Sequence, residues 1–317
     1  MEKTVLRVVL ISCIATLSLF NIVDIQNLRT LVVSDKKENI VKMKQHILCI
    51  MMAYPEYITD LKLSENGNIY LIMKSGRKIL YDDGKSKSPE EKISDPDLED
   101  MMEPIYPLGK IDKLMDSSFN PGRIRIYTLL KEVYGEGKKE VEKNLDNINT
   151  YYGHLQFNRN NNASLALKSV MDELIPLAQS RADIKACLAP YSGTFNYRNI
   201  SGTDRLSPHA FGIAIDLAYN ENDYWQWSSR KQGQERLKSY PKEIVEIFEK
   251  NNFIWGGKWG HFDILHFEYR PEIIMMSRFF GNKNNNPDFW YDGAPIENDQ
   301  VKSYIKKIDE VFDFKIF

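Results

Sequence analysis

Two short segments of this 317-residue chain place ionisable side chains inside apolar runs, and a fold must supply a partner for each buried charge. The first reads Ser207-Pro208-His209-Ala210-Phe211-Gly212-Ile213-Ala214-Ile215-Asp216. The second reads Trp259-Gly260-His261-Phe262-Asp263-Ile264-Leu265-His266-Phe267-Glu268. An Asp directly after Ile213-Ala214-Ile215 calls for a cation, and a metal would meet that need. His209, Asp216 and His266 make up the imidazole and carboxylate set that a catalytic zinc takes, with a fourth position left for water. These three are the expected ligands of a Zn2+ ion.

Spacing limits how such residues can converge. Phe211 to Tyr219 alternates small or polar with apolar residues and is rich in strand formers, which predicts a buried strand. Residues an odd number apart on a strand face opposite sides, so His209 and Asp216 cannot both project from one regular strand. His209 is therefore expected in a turn made by Ser207-Pro208, before the strand begins. Gly212 and Ala214 are small enough to let the backbone pass close to a metal or a substrate. Asp263 and His266 would likewise point to opposite faces, so a bulge or turn is expected between them. Asp263, beside the open position, would take a proton from zinc-bound water, whose pKa falls from about 15.7 toward roughly 7, and pass it to a leaving amine. The alternative role for Asp263 is to hold a ligand imidazole.

These segments resemble the zinc peptidases of the D-alanyl-D-alanine carboxypeptidase type, whose signature is Ser-x-His-x-x-Gly-x-Ala-x-Asp followed by Asp or Glu-x-x-His. Ser207, His209, Gly212, Ala214, Asp216, Asp263 and His266 fill every position. The resemblance covers roughly residues 160 to 275 and takes in Phe253 to Trp259 before the second motif. It implies an exported zinc metallopeptidase hydrolysing peptidoglycan stem peptides, first of all as a D-alanyl-D-alanine carboxypeptidase. A peptidoglycan endopeptidase of the same fold and a non-hydrolytic zinc-containing cell-wall binding protein are the alternatives. The family's Arg upstream of the first motif, which steadies the oxyanion, matches Arg198, with Arg205 as a competing position. Ser207, His261 and Glu268 are read as contacts to the substrate or to the ligands. His46 and His154 lie far from both motifs and receive no role.

The chain carries 42 Lys and Arg against 44 Asp and Glu, a net charge of -2, which excludes a polycationic nucleic-acid footprint. Lys3 and Arg7 precede an apolar run from Val8 to Val23, the pattern of a signal sequence or membrane anchor at residues 1–23. As a helix that run is about 24 Å long against a hydrocarbon core of roughly 30 Å, which is short for a span. The periplasm or cell envelope is the expected location. Cys49 and Cys187 would form a disulfide outside the cytoplasm or stay free and buried.

The expected fold class is α+β: a small antiparallel sheet with flanking helices holding the zinc site, preceded by an accessory domain. That accessory domain spans 36–150, the peptidase domain 155–280, and a C-terminal loop and helix 281–317. Strands are expected at Asp60 to Leu63, Ile69 to Met73 and Lys78 to Tyr81, joined by turn sequences, with a charged loop from Asp82 to Asp97. Helices are expected at Arg123 to Val133, Lys138 to Leu145, Ala163 to Leu174 before Pro176, from Pro241 to about Asn251, and from Asn298 to Val311. The aromatic cluster Tyr224, Trp225 and Trp227 is read equally as a groove lining or as core.

Overall fold

The computed structural model describes residues 37–281 and 287–313. The leader expected at 1–23 and most of the loop read at Asn282 to Pro287 lie outside the described residues. Among those described, no helix is long and apolar enough to cross a membrane. The described residues divide into a small unit, 37–45 with 287–291, and a large unit, 46–281 with 292–313. In the small unit residues 37–45 are helical, and the Gln45 side-chain amide donates to the Trp290 carbonyl at 2.8 Å. Both signature segments lie in the large unit.

The large unit is mixed α and β, with three small antiparallel sheets. The first is the expected meander: β1 (Ile58–Leu63), β2 (Ile69–Met73) and β3 (Lys78–Leu80). Its turns place Gly67 and Gly76 at positive φ, where a side chain would be strained. The segment read as a charged loop contains a helix, Pro89–Ser94, closed by a reciprocal Ser88 and Glu91 capping box. The second sheet is a hairpin of β4 (Leu145–Thr150) and β5 (Gly153–Asn158) that the sequence did not announce. Asn and Asp dominate β4 and are poor strand formers; burial of Ile148, Leu155 and Phe157 on one face overrides them.

The third sheet carries the site. Its order is β6 (Ala214–Asp216), β8 (His266–Tyr269), β7 (Phe253–Trp255), so the last strand in sequence is the middle one. Asp216 pairs with His266 and Ala214 with Glu268 across β6 and β8. The strand expected from Phe211 to Tyr219 is thus only three residues long. Pro208–Phe211 coils into a 3-10 helix instead, and Gly212 closes it at φ 67°. A β-carbon on Gly212 would meet Leu145 Cδ2 at 2.7 Å and the Asn158 nitrogen at 3.2 Å. Gly212 is therefore required by packing against the hairpin and by its backbone angle, not by close approach to a metal.

Helix Ala163–Ser180 buries Leu167, Val170, Met171, Leu174 and Ala178 at helical spacing. It runs through Pro176, where an end was expected: the proline is exposed, and Ala178 continues the buried stripe beyond it. Helix Lys242–Lys250 lays Phe248 face to face on Phe267 of β8, ring centroids 3.9 Å apart. The amphipathic helix Asp299–Asp313 lies where the C-terminal helix was expected and pairs Lys307 with Asp60 of β1 at 2.8 Å. Helix Tyr127–Tyr134 begins later than expected, leaving Arg123 to Ile126 in turn and extended backbone. Cys49 and Cys187 are buried free thiols.

Candidate metal centre and active site

His209 sits on the 3-10 helix, capped by Ser207, whose hydroxyl accepts the His209 N–H at 3.3 Å. It therefore lies in a turn before the strand, as expected. Its Nδ1 donates to the Thr194 carbonyl at 2.6 Å, which fixes the tautomer and leaves the Nε2 lone pair facing inward. That Nε2 lies 3.2 Å from Asp216 Oδ2 and 3.3 Å from His266 Nδ1. His266 Nδ1 lies 2.8 Å from Asp216 Oδ1, a contact set by the β6 and β8 register. One donor atom from each of the three residues falls within 4.8 Å of the others.

The electrostatics of the cluster ask for a cation. Burial alone would raise the Asp216 carboxyl, but the imidazoles of His209 and His266 hold it far below the usual carboxylate range. Burial works against a charged His266, yet the hydrogen bond it donates to Asp216 lifts it to about 9. The field that draws a proton to this point also favours a metal ion, and two imidazole nitrogens with one carboxylate suit zinc.

Asp263 and His266 are joined by the predicted turn: Ile264 and Leu265 form it, and the His266 N–H donates to the Asp263 carbonyl at 3.1 Å. Asp263 also bridges Tyr224 in an antiparallel pair and donates its N–H to the Gly256 carbonyl at 2.9 Å. Its side chain is not in the donor cluster. Burial pushes its carboxyl up to about 6; His266 and Arg123 pull against that rise and Asp216 adds to it. A carboxylate with its pKa near neutral is suited to taking and returning a proton.

Gly256 sets where that carboxylate stands. A β-carbon there would come within 2.4 Å of the Asp263 carbonyl oxygen and 3.1 Å of its Cβ. Gly256→Ala is expected to shift Asp263 and lower turnover about tenfold or more, since misplacements of about 1 Å cost up to 10²-fold. Zinc content should be unchanged. Equal loss of zinc and turnover would mean that the substitution disturbs the ligands instead.

Behind His266 stands Glu268, fully buried, with Oε2 at 3.8 Å from His266 Nε2. Arg125 grips it twice, Nε to Oε1 at 2.9 Å and Nη2 to Oε2 at 2.6 Å. Burial would raise Glu268, but Arg125 holds it well below the usual range, so it stays ionised behind the ligand. Glu268 thus stands against His266. Arg125 and its neighbour Arg123 were missed at the sequence level. Their signal was the alternation of Arg with Ile in Arg123-Ile124-Arg125-Ile126, which was absorbed into a helix.

The other expected residues are placed as follows. Arg198 is exposed; its Nη1 donates to the Asn199 carbonyl at 3.4 Å, while its own carbonyl accepts from the Ser207 N–H at 3.0 Å. Its backbone, and not its guanidinium, borders the motif. Arg205 donates to the Ile93 carbonyl at 2.8 Å. His261 stacks on Trp225 with centroids 4.2 Å apart and lies outside the donor cluster. Trp227 is exposed and contacts Tyr219 and Tyr224, so it is not core filler. His154 is exposed on β5 and pairs with Asn149, and His46 contacts the Tyr81 hydroxyl. A group of acids at Asp83, Asp97 and Asp100 is already answered by Lys87, whose Nζ lies 3.1, 3.1 and 2.7 Å from them.

Comparison with known proteins agrees with this geometry. Residues 201–269 match the family model described as D-alanyl-D-alanine carboxypeptidase. Over 67 residues the chain is 39% identical to the peptidoglycan L-alanyl-D-glutamate endopeptidase CwlK of Bacillus subtilis (strain 168). That match covers 20% of this chain and 40% of the relative, so the chain spans less than half of that protein's length. No solved structure matches the chain.

Proposed function

We propose, from the match of residues 201–269 to the D-alanyl-D-alanine carboxypeptidase family model, that the chain is an exported zinc metallopeptidase acting on peptidoglycan stem peptides. The observation that carries this reading is the convergence of His209 Nε2, Asp216 and His266 Nδ1, with Asp263 one turn from the last of them. A zinc ion there would supply a Lewis acid for the scissile carbonyl and for water. Asp263 takes a proton from the attacking water and hands it to the leaving amine. The Thr194 carbonyl and Glu268 keep each ligand imidazole turned to the cluster. Arg198, exposed with its Nη1 donating to the Asn199 carbonyl, is the residue we assign to the developing oxyanion, as the motif resemblance implies.

Removal of a terminal D-alanine is the first form of the activity, following the family description. Cleavage between the first two stem residues is the second, favoured by the identity to the L-alanyl-D-glutamate endopeptidase. The basic and then apolar N-terminus supports export to the periplasm or envelope. Mass spectrometry of defined muropeptides incubated with the zinc-loaded chain tests the reading. Loss of one alanine from a pentapeptide is the expected result, and a cut within the stem selects the endopeptidase form. No mass change with zinc bound would replace both with the non-hydrolytic cell-wall binding protein.

A further inference from the structure

Arg123 lies outside the family-matched segment, yet it reaches the site. Its guanidinium stacks over Trp259 at 4.6 Å, and the Trp259 ring lies 5.5 Å from that of His266. Nη2 donates to the His261 carbonyl at 2.7 Å. The Nε–H is buried without a partner, and Nη1 has none among the described residues. The neighbouring buried arginines differ: Arg125 is matched to Glu268, and Arg270 to Glu268 and Glu272. Arg123 makes no such ion pair among the described residues, although Asp263 is close enough to act on it electrostatically. A guanidinium fixed on an aromatic face, with open donors and no carboxylate of its own, is prepared for an incoming planar anion.

We propose that Arg123 binds the free α-carboxylate of the substrate residue whose amine is released. The proposal rests on the peptidase reading and names the substrate class within it. To receive a proton from Asp263, the leaving amine must lie within hydrogen-bond reach of that carboxylate. The α-carboxylate of the same residue is two bonds from that nitrogen, which brings it beside Asp263 and so toward Arg123. Stacking on Trp259 holds the guanidinium there before substrate arrives. Two kinds of leaving residue satisfy this geometry: a C-terminal amino acid, and one whose chain continues through its side-chain carboxyl. A residue whose α-carboxyl is locked in an ordinary peptide bond offers no charge to Arg123 and is selected against. The same subsite thus serves the carboxypeptidase and the endopeptidase form.

The test uses the zinc-loaded full chain. Calorimetric titration compares D-alanine with D-alaninamide, and steady-state kinetics compares stem peptides whose leaving residue carries a free or an amidated α-carboxyl. The wild type is expected to favour the carboxylate by about tenfold or more in both assays, the effect of one hydrogen-bonded charge pair. Arg123→Met should shrink that preference to less than about threefold with zinc content unchanged, and Arg123→Lys should retain part of it. A merely structural Arg123 would lower stability without moving the preference, so an unchanged preference in either folded variant overturns the proposal, as does its absence from the wild type. If Arg123→Met does not fold, Arg123→Lys decides. Carboxylate-selective titration that depends on Arg123, in a chain that hydrolyses no stem peptide, would keep the anion site and remove the peptidase reading.

Discussion

Asp263→Ala is expected to keep its zinc and to lose turnover by roughly two to four orders of magnitude, the range a positioned acid or base contributes. The substitution leaves the donor set of His209, Asp216 and His266 intact. The hydrogen bond that shapes the turn runs between backbone atoms, from the His266 N–H to the Asp263 carbonyl, and survives the loss of the side chain. His266→Ala is the contrasting case. It leaves two donors, too few for a retained catalytic zinc, and should lose metal and turnover together. Metal analysis of both purified variants beside their rates on a stem peptide separates the roles. Turnover within about tenfold of wild type in Asp263→Ala would remove Asp263 as the base.

The second large effect concerns stability. Arg270 is 1% exposed and ties its own stretch of chain to the segment 122–124. It donates to Glu272 at 2.6 Å, Glu268 at 3.3 Å, the Gly122 carbonyl at 3.0 Å and the Ile124 carbonyl at 3.4 Å. Glu272 also accepts from the Tyr54 hydroxyl at 2.8 Å. Arg270→Met fills a similar volume but leaves the buried Glu272 carboxyl with the Tyr54 hydroxyl as its remaining side-chain hydrogen-bond partner among the described residues. Breaking a buried pair in this way costs about 3–5 kcal/mol. For a chain of this size that lowers Tm by roughly 10 °C. Calorimetry reads the shift, and a fall under about 2 °C would mean that the Glu272 carboxyl relaxes toward water once Arg270 is gone.

The convergence of His209, Asp216 and His266 was legible in the sequence because its chemistry is local. A charge after three apolar residues demands a partner, and parity along a strand forces both the turn at His209 and the turn between Asp263 and His266. The meander was legible through its Asn-Gly and Ser-Gly turns. What escaped depended on contacts distant in the chain. The Asn-rich β4 becomes a strand only against β5, and Gly212 is explained by Leu145 and Asn158, far from it in sequence. Arg125 becomes part of the site only through Glu268, 143 residues later. Within its own segment the Arg-Ile alternation resembles a helix start as much as a strand.

The order of the third sheet, β6 then β8 then β7, has a consequence for how the molecule comes into being. As the chain is synthesised, β6 and β7 are made before residue 266, but they do not pair with each other. Both wait for β8, which forms the centre of the sheet and brings His266, Asp263 one turn ahead of it and Glu268 in a single stretch of chain. Until then His209 and Asp216 can offer a metal only two donors. On the metallopeptidase reading, tight metal capture is therefore a late step in maturation, and a nascent or partly unfolded chain would have no assembled centre with which to cut a bond.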